Sequence, residues 1–139
     1  MISNIKTIHL PKIPDERGNL SFIEENNHIP FKIQRIYWVY DIPGGETRGG
    51  HAFKQQQELI VALSGSFDVI VNDGKTEQRF HLNRSFMGIY IPCGIWRHME
   101  NFSTNTVALV LSSTLYDEND YIRNFEEYIL FLKNEKHCL

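Results

Sequence analysis

Runs of β-branched and aromatic residues alternate along the chain with polar, turn-forming segments at intervals of about eight to twelve residues. This spacing is typical of the strands of an all-β sandwich or barrel. The predicted strands cover residues 5–10, 19–24, 32–40, 51–53, 57–64, 66–72, 78–82, 87–91, 96–101 and 106–112. The pattern therefore predicts an all-β fold over about residues 1–113.

Two short turn sequences predict tight reversals between strands. Residues 72–75 read Asn-Asp-Gly-Lys, and residues 64–66 read Ser-Gly-Ser. Asparagine, aspartate and glycine tolerate the positive φ angles of hairpin turns, so both segments are predicted to be hairpins. Proline and glycine at 43–45 and 92–94 predict loops at one rim of the barrel.

The apolar period changes after residue 113 to steps of three and four, which is typical of a helix. The residues that set this period are Tyr121, Ile122, Phe125, Ile129 and Leu132. We predict a terminal α-helix over about 117–134, capped by Asp117 or Asn119, that covers an edge or face of a sheet. The whole chain, 1–139, is then one domain.

Composition excludes several classes of protein. With 42% apolar and 22% charged residues, the chain is too hydrophobic and too weakly charged to be disordered. Its apolar runs are too short to span a bilayer. A net charge of −3 disfavours nucleic-acid binding. We expect a cytoplasmic protein without a secretion signal, with Cys93 and Cys138 as free thiols.

One segment has the spacing of the first cupin motif. Gly45 is followed by five residues, His51, one residue, Phe53, four residues, Glu58, six residues and Gly65. The motif has a second histidine at the position of Phe53. The segment otherwise resembles the first motif of the cupins, and this resemblance implies a jelly-roll-like β-barrel.

A later segment resembles the second cupin motif, with Pro92, Gly94 and Asn101 in register. Arg97 occupies the position of its histidine. The neighbouring His98 is expected to face away, because a shift of one residue along a strand turns the side chain to the other face. Only half of the metal ligands remain, and a guanidinium adds positive charge, so we expect neither a metal nor a cofactor.

A finer resemblance covers nearly the whole chain. The segments that carry it include Asp15-x-Arg17-Gly18-x-Leu20, Arg48-Gly49-x-His51-Ala52 and Leu115-Tyr116-Asp117-Glu118-x-Asp120-Tyr121-Ile122-Arg123. They resemble the sugar 3,4-ketoisomerases of the WxcM-like family. That resemblance implies a metal-independent enzyme, usually dimeric. It would convert a nucleotide-linked 4-keto-6-deoxyhexose, commonly dTDP-linked, to its 3-keto isomer for amino-deoxysugars of surface glycans such as lipopolysaccharide.

The chain departs from this family at Phe53, where many members have a second histidine. If acid and base must be separate histidines, Phe53 abolishes activity. If the first histidine alone abstracts the proton, Phe53 only reshapes the pocket or changes the face of reprotonation.

Moving a carbonyl from C4 to C3 requires a proton shuttle and an enediolate-stabilising group, but no redox cofactor. His51 is the predicted acid/base and Tyr37 the predicted relay for the oxygen-bound proton. Predicted substrate-binding residues are Arg48, Arg17, Arg97 and Arg35 for anionic oxygens, Trp96 and Tyr90 for stacking, and Glu58. Arg97 and Glu58 could instead neutralise each other.

Three other activities remain open. A 3,5- or 5-epimerase would abstract a proton at another carbon of a similar keto-sugar. A catalytically silent cupin would bind a nucleotide sugar without turnover, as Phe53 allows, and a metal-dependent dioxygenase comes third. Edge strands in so small a barrel also predict a homodimer.

Overall fold

A computed structural model describes residues 2–134, which form twelve β-strands and one α-helix. The strands are β1 (Lys6–His9), β2 (Lys12–Ile13), β3 (Leu20–Ser21), β4 (Arg35–Val39), β5 (Arg48–Phe53), β6 (Glu58–Ser64), β7 (Phe67–Asn72), β8 (Glu77–Leu82), β9 (Met87–Ile91), β10 (Trp96–Glu100), β11 (Val107–Ser112) and β12 (Tyr121–Ile122). Helix α1 spans Phe125–Asn134, and 3₁₀ turns cover Ile2–Asn4 and Glu118–Asp120.

Two five-stranded antiparallel sheets face each other. The first has the order β1-β9-β6-β11-β4 and the second β12-β5-β10-β7-β8, while β2 and β3 form a separate hairpin. Alternate residues such as Phe67, Val69 and Val71 of β7 enter the main core between the sheets. The predicted cupin-type all-β fold with a C-terminal helix is confirmed.

One of the two predicted hairpins is wrong. Strand β7 pairs with β8 across the turn at Gly74, which has a φ of +93°, as predicted. Strands β6 and β7, however, belong to different sheets. Gly65, with a φ of +72°, turns the chain from one sheet to the other, and a Cβ there would lie 2.6 Å from Thr106 Oγ1.

The terminal helix begins later than predicted. Asn124 Oδ1 accepts hydrogen bonds from the backbone amides of Glu126 and Glu127, so it caps α1 in place of the predicted Asp117 or Asn119. Asp117 instead caps the short 3₁₀ turn. The segment between them cannot be helical, because β12 pairs with Phe53 and Ala52 of β5. These long-range backbone hydrogen bonds override the local period.

Helix α1 covers one end of the outer face of the second sheet. Buried Tyr128 packs with Ala52 and Ile122, and its hydroxyl donates to the carbonyl oxygens of Asn72 and Gly94. The predicted covering role is therefore confirmed. None of the helices described in residues 2–134 is long and apolar enough to cross a membrane.

Two further expectations need correction. The predicted strand at 19–24 is only two residues long, Leu20–Ser21, and Ile29 and Phe31, which follow it, pack on the outer face of the first sheet. The expectation of a free thiol is wrong for Cys93, which is disulfide-bonded. Cys138 lies outside the described residues.

Candidate active site

A cavity of about 400 Å³ opens between the two sheets, beside β4, β5 and β10. The residues that line it are Tyr37, Val39, Thr47, Arg48, Gly49, Gly50, His51, Arg97, Met99, Tyr121 and Arg123. Of the residues predicted to act in catalysis, both His51 and Tyr37 lie here. Arg48 and Arg97 lie here as well.

A bulge in β5 turns Arg48 toward this cavity. Arg97 pairs with His51 and Met99 pairs with Arg48, so three steps along β5 match two along β10. The extra residue reverses the strict alternation of side chains, and Arg48 therefore shares the inner face with His51. Gly49 allows the bulge, with a φ of +74°, and a Cβ there would overlap Arg97 Nη1.

His51 is buried on the inner face of β5, with 8% of its surface exposed. Its ring packs edge-on against Phe53 at 4.7 Å and Tyr121 at 5.1 Å between centroids. Nδ1 is buried and has no hydrogen-bond partner, which leaves Nε2 to meet a ligand. Desolvation, with the charges of Arg97 and Arg123, lowers the pKa of His51 to about 2. The imidazole is therefore neutral.

Phe53, the residue that replaces the expected second histidine, does not line the cavity. It is buried beneath His51, packs on Tyr121 at 4.6 Å, and lies 5.8 Å from the Arg97 guanidinium. Phe53 thus helps to desolvate His51 and cannot itself transfer a proton.

Arg97 and Glu58 form a buried ion pair across the cavity floor. Arg97 Nε donates to Glu58 Oε2 at 2.7 Å and Nη2 donates to Oε1 at 2.9 Å. Nη1 donates to the carbonyl oxygen of Gly49 at 3.1 Å. Burial acts to lower the pKa of Arg97, but the charge of Glu58 and the hydrogen bonds to it outweigh burial and raise the pKa above its usual value. The pair fixes one positive charge at the base of the site.

The hydroxyl of Tyr37 lies at the edge of this ion pair. It accepts a hydrogen bond from Arg97 Nη2 at 3.2 Å and donates to Glu58 Oε1 over a longer 3.4 Å. Burial, followed by the charge of Glu58, raises the pKa of Tyr37 to about 12. Tyr37 is therefore a neutral hydroxyl that can donate a hydrogen bond to a ligand oxygen.

Arg35 supports this arrangement from the same face of β4. Its Nη2 donates to Gln56 Oε1 at 2.9 Å, and its guanidinium lies 5.2 Å from the Tyr37 ring centroid. Gln56 Nε2 in turn lies 3.5 Å from Glu58 Oε1. Arg35 does not line the cavity. From behind Tyr37 it can hold the Tyr37 ring in place, but it does not reach a ligand in the cavity.

Three other predicted ligand residues are not brought into this cavity. Arg17, with its side chain 90% exposed, pairs with Asp15 between β2 and β3. Trp96 points to the outer face of the second sheet and packs against Phe125. Tyr90 points to the outer face of the first sheet and donates to Gln57 Oε1. Strand alternation explains why Trp96 and Tyr90 point outward. The predicted ligand contacts of Arg17, Trp96 and Tyr90 stay untested predictions.

Among the lining residues that sequence reasoning did not name as site residues, Tyr121 supplies an aromatic ring and Arg123 a charge. The segment was assigned to the terminal helix, although it belongs to the closing motif of the family resemblance. Asp120 fixes it, because its buried carboxylate accepts from the backbone amides of Gln55 at 2.7 Å and Gln56 at 3.1 Å. The adjoining β12 then places Tyr121 against His51.

His98, the neighbour of Arg97 in the second motif, faces away from the cavity. His98 Nε2 lies 2.8 Å from Glu100 Oε1 on the outer face of β10. Within residues 2–134, no group of three or more histidine, cysteine, aspartate or glutamate side chains is arranged to hold a metal ion.

A family model and a curated relative both match nearly the whole chain. Residues 3–133 match the family described as FdtA: WxcM-like, C-terminal. The chain is 44% identical over 134 residues to a TDP-4-oxo-6-deoxy-alpha-D-glucose-3,4-oxoisomerase of Aneurinibacillus thermoaerophilus, which covers 94% of this chain and 96% of the relative.

Solved structures of sugar ketoisomerases share this fold. The sugar 3,4-ketoisomerase QdtA of Thermoanaerobacterium thermosaccharolyticum, in complex with TDP, is 37% identical, with a TM-score of 0.92 and coverage of 96% of this chain and 97% of that one. The TDP-quinovose 3,4-ketoisomerase WlaRB of Campylobacter jejuni is 42% identical, with a TM-score of 0.87 and coverage of 91% and 98%.

Proposed function

The chain belongs to the FdtA family of WxcM-like, C-terminal proteins, and from this premise we propose that it is a nucleotide-sugar 3,4-ketoisomerase. Its substrate is a TDP-4-keto-6-deoxyhexose, and its product is the 3-keto isomer, which serves deoxyaminosugar and surface-glycan synthesis. The observation that carries the proposal is the neutral, buried His51, which has one ring nitrogen available to the cavity beside Tyr37 and Arg97.

The reaction needs one carbon-bound proton to be moved. His51 Nε2 accepts the proton from C3, and the electrons of that C–H bond form a C3–C4 double bond while the C4 carbonyl becomes an oxyanion. The hydroxyl proton then passes from O3 to O4, and His51 protonates C4 after its Nε2 proton has exchanged with solvent. Oxidation at C3 balances reduction at C4, so no redox cofactor is consumed.

Tyr37 and Arg97 serve the oxygen atoms in this scheme. The Tyr37 hydroxyl can exchange its long hydrogen bond to Glu58 for one to the enediolate oxygen, and relay the proton between O3 and O4. The fixed charge of Arg97 stabilises the negative charge that develops there. Because Phe53 cannot act as an acid, His51 serves both steps in turn.

In this proposal Arg48 binds the diphosphate of the substrate. The bulge in β5 points it at the cavity, and it makes no ion pair within the described residues. Its guanidinium is therefore available for the forked hydrogen bonds that phosphate oxygens accept.

Proton NMR of chelator-treated protein with TDP-4-keto-6-deoxyglucose in deuterated water tests the function. We expect the 3-keto sugar with deuterium at C4, and loss of the reaction in a His51→Asn variant that still binds TDP. Deuterium at C5 would instead identify an epimerase. Binding of TDP without exchange at any carbon would identify a silent binding protein.

We also propose that the protein is a homodimer through the outer face of the first sheet. Trp38 pairs with Leu109, and Leu109 with Val61, which makes an apolar row across three adjacent strands. Trp38, Ile36 and Leu63 are 56%, 50% and 48% exposed, and β4 is the edge strand. An apolar face beside an open edge suits a second copy of the same face.

Sedimentation of the purified protein tests the dimer. We expect a dimer that Trp38→Asp converts to monomers, whereas Leu130→Asp, an equally exposed apolar site on α1, leaves it intact. A wild-type species of monomer mass at micromolar concentration would overturn the proposal. The cytoplasmic location stays a prediction.

A further inference from the structure

We propose that Asp120 is a positioning residue for the reaction, which holds the base and the ion pair of the cavity floor in a fixed geometry relative to each other. Asp120 ends the second 3₁₀ turn and directly precedes β12. It does not line the cavity, so it acts through other residues rather than on a ligand. The catalytic part of this inference rests on the proposed function, because it assumes that His51 moves the proton.

The carboxylate of Asp120 is bound to the connection between β5 and β6, residues 54–57. Asp120 is 8% exposed, and its carboxylate oxygens accept hydrogen bonds from the backbone amides of Gln55 at 2.7 Å and Gln56 at 3.1 Å. Its carbonyl oxygen accepts a third from the amide of Lys54 at 2.9 Å. Hydrogen bonds to a carboxylate are stronger than those between neutral groups. The connection and the segment that carries Asp120 are therefore held together as one unit.

This connection is the point at which the chain passes from the second sheet to the first. Strand β5 carries His51 and belongs to the second sheet, whereas β6 begins with Glu58 and belongs to the first. Because the connection is short, a change in its backbone would move the end of β5 relative to the start of β6. Asp120 thus fixes the junction between the sheet that carries the base and the sheet that carries the carboxylate of the ion pair.

The first route from Asp120 leads to His51 through the next residue, Tyr121. Backbone pairing of Tyr121 with Phe53 sets its ring 5.1 Å from the His51 ring and 4.6 Å from the Phe53 ring, between centroids. Strand β12 has only two residues, so its own pairing with β5 holds it weakly. The Tyr121 hydroxyl has no hydrogen-bond partner among residues 2–134, so the contact depends on the ring. The bonds of Asp120 keep that ring against His51.

The second route leads to the ion pair through the side chain of Gln56. Gln56 is 2% exposed, and its Nε2 lies 3.5 Å from Glu58 Oε1. The same oxygen of Glu58 accepts hydrogen bonds from Tyr37 and Arg97. Because Asp120 holds the backbone of Gln56, it also sets where this side chain meets the carboxylate.

The reaction is sensitive to this geometry because groups on two facing sheets must act on neighbouring atoms. In the proposed scheme His51 serves C3 and C4, while Tyr37 serves their oxygens. A misplacement of about 1 Å can lower a rate roughly 10²-fold. A displaced Tyr121 would also admit water to His51, whose pKa is lowered first by desolvation. Loss of the Asp120 bonds should therefore change catalysis and the protonation of His51 together.

Asp117 offers a matched control in the same turn. Its Oδ1 accepts a hydrogen bond from the backbone amide of Asn119 at 3.0 Å, and among the described residues its carboxylate makes no bond to the connection 54–57. Asp117→Asn and Asp120→Asn each replace a carboxylate by an amide of the same shape. Only Asp120→Asn turns an N–H group toward the backbone amides of that connection.

The kinetic test is the split between kcat and KM. Asp120→Asn is expected to lower kcat by about 10- to 100-fold, because the base and the relay are displaced relative to each other. KM and TDP affinity should stay within about 3-fold, because the lining of the cavity is unchanged. Asp117→Asn should stay within about 2-fold of the wild type in all three quantities. An unchanged kcat in Asp120→Asn, or equal losses in the two variants, would overturn the proposal.

Nitrogen-15 NMR of the His51 imidazole supplies a readout that does not depend on activity. In the wild type and in Asp117→Asn we expect the shifts of a neutral ring down to about pH 5. In Asp120→Asn a titration midpoint should appear between about pH 5 and pH 6.5, because water reaches the ring while the charges of Arg97 and Arg123 remain. A ring that stays neutral in Asp120→Asn would overturn the first route.

Substitutions of Tyr121 test the same route if Asp120→Asn does not fold. Tyr121→Phe keeps the ring and should keep His51 neutral, whereas Tyr121→Ala should give His51 a midpoint and lower kcat about 10-fold. The double variant Asp120→Asn with Tyr121→Ala should lose less kcat than the product of the two single losses. Losses that multiply, or equal effects of Tyr121→Phe and Tyr121→Ala on His51, would overturn the proposal.

These outcomes are separate from a failure of the proposed function. A wild-type protein that binds TDP but does not isomerise the keto-sugar would refute the ketoisomerase, while the His51 titrations would still test the role of Asp120. An active wild type whose Asp120→Asn variant keeps its kcat and a neutral His51 would refute only the inference about Asp120.

Discussion

The two faces of the second sheet carry similar polar groups, but those on the inner face are buried and most of those on the outer face are at least partly exposed to solvent. Strand β10 turns Arg97 inward, where it bonds Glu58, and His98 outward, where it bonds Glu100. On the outer face, Arg79 also bridges Glu100 and Asp68. The inner pair has side-chain exposures of 1% and 2%, whereas the Arg79 side chain is 55% exposed.

The histidines differ in the same way. On the outer face, His81 and His98 each have a carboxylate oxygen within 2.8 Å. His51, on the inner face, is surrounded by aromatic rings, and its Nδ1 has no partner. The outer polar groups are paired with one another. The inner face concentrates one fixed ion pair and one unsatisfied base, and this is the arrangement a proton shuttle needs.

The largest effect should follow from removal of the unsatisfied base. His51→Asn is expected to lower kcat by at least about 10³-fold, since a general base contributes roughly 10² to 10⁴ and no second acid is available at Phe53. TDP affinity should stay within about 3-fold. Conversion followed by NMR and binding by calorimetry check both values. An active His51→Asn variant would mean that another group moves the proton.

The inner ion pair should dominate stability. Glu58→Gln leaves the Arg97 charge buried without compensation, and we expect a loss of about 3–5 kcal/mol in the free energy of unfolding. Urea denaturation measures it. The paired replacement Glu58→Met with Arg97→Met should recover most of this loss but not the activity, because the fixed charge is gone. A small effect of Glu58→Gln alone would contradict the account of the cavity floor.

The burial of His51 predicts a dependence of stability on pH. Its folded pKa is lowered to about 2 from a usual value near 6.5, so between these values the unfolded chain binds a proton that the folded chain does not. This contribution is fully present above pH 6.5 and falls by up to ~1.4 kcal/mol for each unit of pH below it.

The difference in unfolding free energy between wild type and His51→Asn isolates this contribution, since other groups cancel. That difference should shrink by about 1 kcal/mol between pH 6 and pH 5, measured by urea denaturation at each pH. A difference that is independent of pH would mean that His51 is solvated.

The smallest effect belongs to the outer face. Glu100→Gln weakens contacts to half-exposed Arg79 and to His98, and should cost less than about 1 kcal/mol without changing TDP binding. Urea denaturation beside Glu58→Gln makes the comparison direct. Equal costs on the two faces would remove the distinction drawn between them.

Sequence patterns predicted the structural features that are set by residues close together in the chain. Strand β9, Met87–Ile91, was predicted with its observed bounds, because turn residues flank a compact apolar run. Motif spacing put His51, Glu58 and Arg97 together, and Tyr37, predicted as the proton relay, lies on the inner face of β4. These features follow from a period of two along each strand.

Features set by contacts between distant segments were missed. The bulge that redirects Arg48 depends on pairing with β10, and β12 forms because Asp120 bonds the backbone of Gln55 and Gln56. Neither the bulge nor β12 can be recognised from the spacing of apolar residues in the sequence. For the same reason Arg123 was assigned to a helix. The outward direction of Trp96 and Tyr90, by contrast, follows from strand alternation, which the sequence analysis did not apply to these two residues.

Nitrogen-15 NMR of the His51 imidazole, assigned with the His51→Asn variant, tests the central claim that this histidine is held neutral in the free protein. We expect the ring shifts of a neutral imidazole throughout the range from pH 8 to pH 5. A titration of His51 with a midpoint near pH 6.5 would contradict the desolvated, unpartnered base on which the account depends.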